Sequence, residues 1–166
     1  MVSPGNPLKF SRDMAAFPAR LASARGIADG RRVVATDIEA RLGTRYTVDT
    51  LRALRRRFPR VAFVWLMGAD NLVQLPRWRR WRDIVAQVAF AVLPRPIYNH
   101  RALASHAAHR LARVRLPVHA AASLARLAAP RWVFLPARQN AASATAIRLA
   151  SSGVQDHRPQ AAPATR

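Results

Sequence analysis

Apolar residues in this chain gather into short runs separated by stretches of a different period, and that alternation limits the fold to a narrow class. Val33 to Thr36, Val61 to Met67, Val88 to Leu93 and Trp132 to Leu135 are brief, apolar and partly β-branched or aromatic, the composition of buried strands. Between them the pattern turns helical. Val48, Leu51, Leu54 and Phe58 share one helical face, with Thr47 placed as an N-cap and Pro59 as a stop. Further helices are expected from Pro18 to Ala28, closed by Asp29-Gly30, over Trp78 to Gln87, and as a pair over Arg101 to Arg113 and Ala120 to Ala128, separated by Pro117. Strand and helix in alternation imply an α/β domain whose mostly parallel sheet is covered on both faces. With 166 residues, 51% of them hydrophobic, the chain has room for one such domain. It is expected over residues 1–150, and the Ala-, Pro- and Arg-rich segment 151–166 reads as a flexible tail. No internal repeat is visible.

Composition excludes several classes of function. There is no cysteine, so disulfides and thiolate metal or redox sites are ruled out. No apolar run reaches the length of a membrane span and the first residues do not form a signal peptide; a cytoplasmic location is the expectation. The net charge of +20 invites a nucleic-acid reading, because clustered cations release counterions on binding phosphate. Its pattern argues the other way. Lys9 is the only lysine, and a chain rich in Arg and Ala matches codon bias toward GC-rich DNA as well as it matches a binding face. Solvated surface charge is the simpler account.

In open parallel sheets ligands bind beyond the carboxyl ends of the strands. After Met67 come Gly68, which allows close backbone approach, and Asp70, a carboxylate suited to ribose hydroxyls. Trp78 and Trp81 follow, with Arg77, Arg79 and Arg80 around them. Most tryptophans simply pack, but two beside a strand end favour one ring stacking on a planar ligand. Near the end of the chain, Ser143-Ala144-Thr145-Ala146-Ile147-Arg148 has two hydroxyls and a guanidinium suited to phosphate at a helix N-terminus. The same residues also suit an ordinary cap followed by a solvated Arg. His106 and His109, at i,i+3, belong on a solvated helix face, and no metal site is expected.

Several of these segments together carry a resemblance. Phe63-Val-Trp-Leu-Met-Gly-Ala-Asp-Asn71 followed by Trp78-Arg-Arg-Trp81 resembles the centre of bacterial nicotinate-nucleotide adenylyltransferases. So do Val2-Ser-Pro-Gly-Asn-Pro-Leu-Lys9, Asp37-Ile-Glu39, Tyr46-Thr-Val-Asp-Thr-Leu51, Arg95-Pro96 and the Ser143 to Arg148 hexapeptide, in the family's order and at its spacing. The resemblance implies a Rossmann-like nucleotidyltransferase fold. It also implies adenylyl transfer from ATP to nicotinate mononucleotide, giving nicotinate adenine dinucleotide and pyrophosphate in NAD biosynthesis, with Mg2+ accompanying ATP. Carried over, Asn6 and Lys9 contact the mononucleotide phosphate, Thr47 offers its backbone to the nicotinate carboxylate, and Trp78 stacks on the pyridine ring. Gly68 and Asp70 border the ribose and adenosine, Arg95 lies near the nucleotide, and Ser143, Thr145 and Arg148 hold the ATP phosphates.

The chain departs from the family at its start. The family's first strand, Gly-rich turn and helix with a His-x-Gly-His element are not found in these residues, a difference on the order of 30 residues by the size of a βαβ unit. No catalytic residue of that element is therefore assigned here. None of His100, His106, His109, His119 or His157 sits in such a context. A doubly wound sheet lacking its first strand and helix should expose strand edges and apolar faces, so an in-frame segment upstream of Met1 is expected to complete the enzyme. Pro18, within an expected helix, and Ile97, where a Gly often follows Arg-Pro, are smaller departures. The alternatives are a related transferase acting on nicotinamide mononucleotide or phosphopantetheine, an inactive nucleotide-binding remnant, and a basic nucleic-acid-binding protein.

Overall fold

The structure, a computed structural model, describes residues 1–5 and 15–137. Its centre is a sheet of four strands in the order β1-β2-β4-β3, all parallel: β1 (Val64–Gly68), β2 (Ala89–Leu93), β3 (Arg115–Leu116) and β4 (Trp132–Phe134). The expected runs at Val61, Val88 and Trp132 thus become β1, β2 and β4. The two-residue strand β3 carries no pattern of its own and was not expected.

β2 lies between β1 and β4, which explains why Ala89 to Val92 is apolar without alternation: it is buried on both faces. Phe90 stacks on Trp132 with ring centroids 5.7 Å apart and planes inclined by 8°, and both rings are buried. The Trp132 indole N–H donates to the Leu111 carbonyl at 2.9 Å, so burying this ring leaves no polar atom unpaired. On this face pack helices α4 (Ala69–Gln74), α6 (Asn99–Leu103) and α7 (His106–Arg110), through Leu72, Ala102, Ala107 and Ala108. The other face buries Ala89, Ala91 and Val133 beneath Leu124 of a 3₁₀ helix, Val118–Arg126. That helix replaces the α-helix expected over Ala120 to Ala128, while the expected Arg101 to Arg113 helix is broken into α6, α7 and a short 3₁₀ turn, Ala112–Val114. The break falls at Ser105, whose hydroxyl caps α7 by accepting from the Ala108 N–H.

Before the sheet come α1 (Phe17–Ile27), α2 (Ile38–Arg41) and α3 (Thr47–Arg57). Pro18 falls in the first turn of α1, where its missing N–H costs nothing. The strand expected at Val33 to Thr36 does not form. Asp29 draws the backbone into a turn instead: its Oδ1 accepts from the N–H groups of Arg31, Arg32 and Val33 at 2.9, 2.8 and 2.7 Å. These bonds, that from Val33 foremost, hold the Asp29 carboxyl below its usual range. Val33 spends its carbonyl on Gly30 N–H, and the extended piece after it makes, among the described residues, a single backbone bond, Val2 N–H to Thr36 O at 2.9 Å. On the other flank α5 (Trp81–Gln87) packs against α3 through Val48, Leu51, Ile84 and Val88. It starts three residues later than expected because Arg80 takes a left-handed conformation, φ 52°, with an ion pair to Asp83. The boundary expected at Ala150 and the tail from Ser151 lie outside the described residues.

Ile97 is the other non-glycine residue with positive φ among the described residues, at 70° and 86% exposed. A β-branched side chain there is strained and its burial contributes nothing. Ile97→Gly is expected to raise stability by about 1 kcal/mol in urea unfolding; an unchanged or lower midpoint would show that this turn is not left-handed.

Candidate functional site

Three sequence-separated segments converge beside β1. α3 and α5 pack together over Val48 and Ile84, and this brings the first turn of α3 next to the turn that precedes α5. The result is a cavity of about 650 Å³ lined by Tyr46 and Thr47 from α3, Trp78 and Arg79 from the turn, Trp65 from β1 and Asn71 from α4, with Arg45, Arg77 and Glu39 also in its wall.

Thr47 does not cap α3 with its side chain. Tyr46 is the N-cap residue, Thr47 is the first helical residue, and no side-chain cap bond forms. What this position offers is backbone: the Asp49 N–H is taken by the Tyr46 carbonyl, whereas the N–H of Thr47, the first helical residue, has no acceptor within the helix, and Thr47 lines the cavity. Trp78 ends a 3₁₀ turn, Leu75–Arg77, with its ring tilted 51° on Trp65 at 5.5 Å. Its buried indole N–H has no partner among the described residues. Trp81, by contrast, packs on the core with its edge to His106. The Arg79 guanidinium lies 4.7 Å from the centroid of Tyr46 and that of Arg45 lies 6.0 Å from it, so cations and aromatics hold one another in the wall.

A second group sits at the carboxyl ends of β1 and β2. Gly68 pairs in register with Leu93, so α4 and the loop carrying Arg95 leave the sheet at the same level. Asp70 Oδ1 lies 3.6 Å from Arg95 Nε, with no hydrogen-bond partner among the described residues. Gly68 has ordinary φ, and what glycine provides is space: a Cβ there would meet Asp70 Oδ1 and come within 2.9 Å of Arg95 Nε, so the ends of those two side chains would have to swing aside. Asn6, Lys9, Ser143, Thr145 and Arg148 lie outside the described residues. Among the described residues no three His, Asp or Glu side chains form a metal site, and His106 and His109 are exposed. No helix is long and apolar enough to cross a membrane.

Residues 2–150 match the cytidylyltransferase-like family. A probable nicotinate-nucleotide adenylyltransferase of Gluconacetobacter diazotrophicus is 60% identical over 151 residues, which is 91% of this chain and 70% of that protein. Proteins of the same designation from Gluconobacter oxydans and Parvibaculum lavamentivorans are 57% and 56% identical over 148 residues, covering 89% of this chain and 76% and 74% of theirs. The chain belongs to the nicotinate-nucleotide adenylyltransferase family.

Within this adenylyltransferase domain the structure brings together Thr47 and Trp78 in one group and Gly68, Asp70 and Arg95 in the other. Reading the sequence did not single out Glu39, Arg45, Tyr46 or Trp65 as site residues. The first three lie in or beside α2 and α3 and are ordinary surface types by sequence; only the packing of α3 on α5 turns them toward one cavity.

The Gly68 contact makes a direct prediction. Gly68→Ala should cost about 0.5–1 kcal/mol by displacing the Asp70 and Arg95 side chains, and in the Asp70→Ala background it should cost at least about 0.5 kcal/mol less, because the colliding carboxylate is gone. Additive unfolding free energies in that cycle would show that the two residues do not meet.

Proposed function

We propose that the cavity beside β1 binds nicotinate mononucleotide and that the carboxyl ends of β1 and β2 receive ATP, for adenylyl transfer giving nicotinate adenine dinucleotide and pyrophosphate. The observation that carries this reading is the pairing, in one cavity, of the half-buried Trp78 indole with Thr47, the first residue of an 11-residue helix. A planar ring carrying a carboxylate matches both: Trp78 supplies a stacking face, and the first turn of α3 supplies N–H donors and a favourable dipole for an anion. Arg45, Arg77 and Arg79 add positive potential, which suits the nicotinate and phosphate charges. Gly5 lines the same cavity, and in sequence it directly precedes Asn6, assigned with Lys9 to the mononucleotide phosphate.

Asp70, at the head of α4, accepts ribose hydroxyls of the adenosine, with Arg95 beside it and Gly68 leaving room for both. Ser143, Thr145 and Arg148 take the triphosphate. The phosphate oxygen of the mononucleotide attacks the α-phosphorus of ATP in line, the bond to the β-phosphate oxygen breaks, and pyrophosphate leaves. No covalent enzyme intermediate forms, so positioning and charge neutralisation supply the catalysis. Mg2+ would come with the triphosphate held by Ser143, Thr145 and Arg148, and would supply neutralisation of phosphate charge when bound. The His-x-Gly-His element is not found in these 166 residues, and the residues assigned here are those that bind and position the two nucleotides. Pyrophosphate release from ATP and nicotinate mononucleotide should be strong once an upstream segment bearing that element is joined to Met1. No release from the joined protein would sink the reading.

Thr47 allows a sharper test, because Pro fits the first position of a helix while removing the N–H, and the extended backbone of Tyr46, φ −110° and ψ 138°, is what a residue before Pro requires. Thr47→Pro is expected to keep the fold and weaken nicotinate mononucleotide binding roughly tenfold, the loss of a charge-assisted bond of about 1.5 kcal/mol. Thr47→Ala should change it less than about twofold, since the side chain makes no bond. Calorimetry checks both, and equal losses in the two variants would mean that the backbone is not the contact.

A further inference from the structure

Glu39 is the most buried charged side chain among the described residues, at 4% exposure, and it lines the cavity. Its Oε2 has no hydrogen-bond partner among those residues. Its Oε1 lies 3.2 Å from the Thr50 hydroxyl, which in turn lies 2.8 Å from the hydroxyl of Thr44. Thr50 has one proton and three acceptors in reach, Glu39 Oε1 and the Tyr46 carbonyl, each at 3.2 Å, and the Thr44 hydroxyl, which can itself donate instead. The carbonyl already accepts the N–H groups of Asp49 and Thr50, and a carboxylate is the stronger acceptor. The protons therefore run one way, Thr44 to Thr50 to Glu39. The Thr44 N–H also donates to the Glu39 carbonyl, at 3.3 Å.

This relay spans the corner between α2 and α3. Glu39 is in α2, Thr50 in the second turn of α3, and Thr44 in the loop that delivers Arg45, Tyr46 and Thr47 to the cavity. Burying a carboxylate with one oxygen unpaired is costly, and a corner that needed only packing would be better served by an apolar residue. We propose that Glu39 is a positioning residue: through Thr50 and Thr44 it fixes the loop that aims the first turn of α3 and the Tyr46 ring into the Trp78 cavity. Its contact with the ligand is indirect. The effect on binding rests on the nicotinate mononucleotide reading, whereas the effect on the loop does not.

The test measures two quantities on the full 166-residue chain and its variants: amide hydrogen exchange over residues 44–49, and quenching of tryptophan fluorescence by nicotinate mononucleotide. Thr50→Val keeps the volume and removes the hydroxyl, and Glu39→Ala removes the acceptor. Each is expected to speed exchange in this segment about tenfold and to weaken the mononucleotide about five- to tenfold. Thr50→Ser and Glu39→Gln, which keep a hydroxyl and an acceptor oxygen, should stay within about twofold of the parent. Should Glu39→Ala not fold, Thr50→Val against Thr50→Ser carries the comparison alone. Unaltered exchange and affinity in Thr50→Val, or equal losses in Thr50→Val and Thr50→Ser, would overturn the proposal. If the parent shows no quenching while exchange responds as expected, the positioning role stands and the ligand assignment is the part that fails.

Discussion

The ligand end of the molecule depends on β1 and β2 finishing level with each other. Parallel pairing from Val64 with Ala89 to Gly68 with Leu93 brings two chain exits to one height, one turning into α4 with Asp70 and the other running on to Arg95. A slip of one residue would turn the side chains of a whole strand to the other face, removing Met67 and Phe90 from a core built around Trp132. The register is therefore held by burial, and the polar approach of Asp70 to Arg95 follows from it. Hydrophobic packing sets the geometry here, and charge is added at its rim.

The second determinant is the contact of α3 with α5. Neither helix is long, and the shared apolar patch is small: Val48, Leu51, Ile84 and Val88. Yet it joins the start of one helix to the approach of the other, which makes a pocket from residues about 30 positions apart. The pocket wall contains several guanidiniums. Arginine suits this place better than lysine because its planar group can lie over Tyr46, as that of Arg79 does in the cavity wall, and keep its in-plane donors free. An anion entering there meets charge that is already oriented.

Much of this was legible in the sequence, and the failures have physical causes. The runs in β2 and β4 are buried on two faces, so uninterrupted apolar character identifies them without knowledge of partners, and β1 has the same character although only one of its faces is well covered. Val33 to Thr36 has the same composition but lies just after Asp29, and three N–H bonds to one carboxylate oxygen outcompete a ladder that β propensity alone would favour. β3 is too short to have a period. Thr47 was placed one position off because Thr is a good cap by type, whereas here Tyr46 occupies the cap with extended backbone and no side-chain bond. Gly68 and Asp70 could be read from chemistry at a strand end, since both are set by local geometry. Glu39 could not, because an acid in the first turn of a short helix is unremarkable until tertiary contacts enclose it.

The edge of the sheet obeys the same logic. β1 has β2 on one side and no strand on its other side among the described residues. Its Trp65 and Met67 side chains point to the face covered by helices and are at least partly buried. Leu66 points to the opposite face and is 61% exposed, although it shares that face with Val64, which packs beside Ala89 and Ala91. An apolar side chain in mid-strand gains burial worth about 1.5–3 kcal/mol only where something covers it. β1 is thus secured from one side, by its ladder with β2 and by the aromatic contact of Trp65 with Phe90 at 6.5 Å. Trp65 also touches Trp78. Any loosening of β1 at this edge would consequently reach the ring proposed to stack on the ligand before it reached the Phe90–Trp132 core.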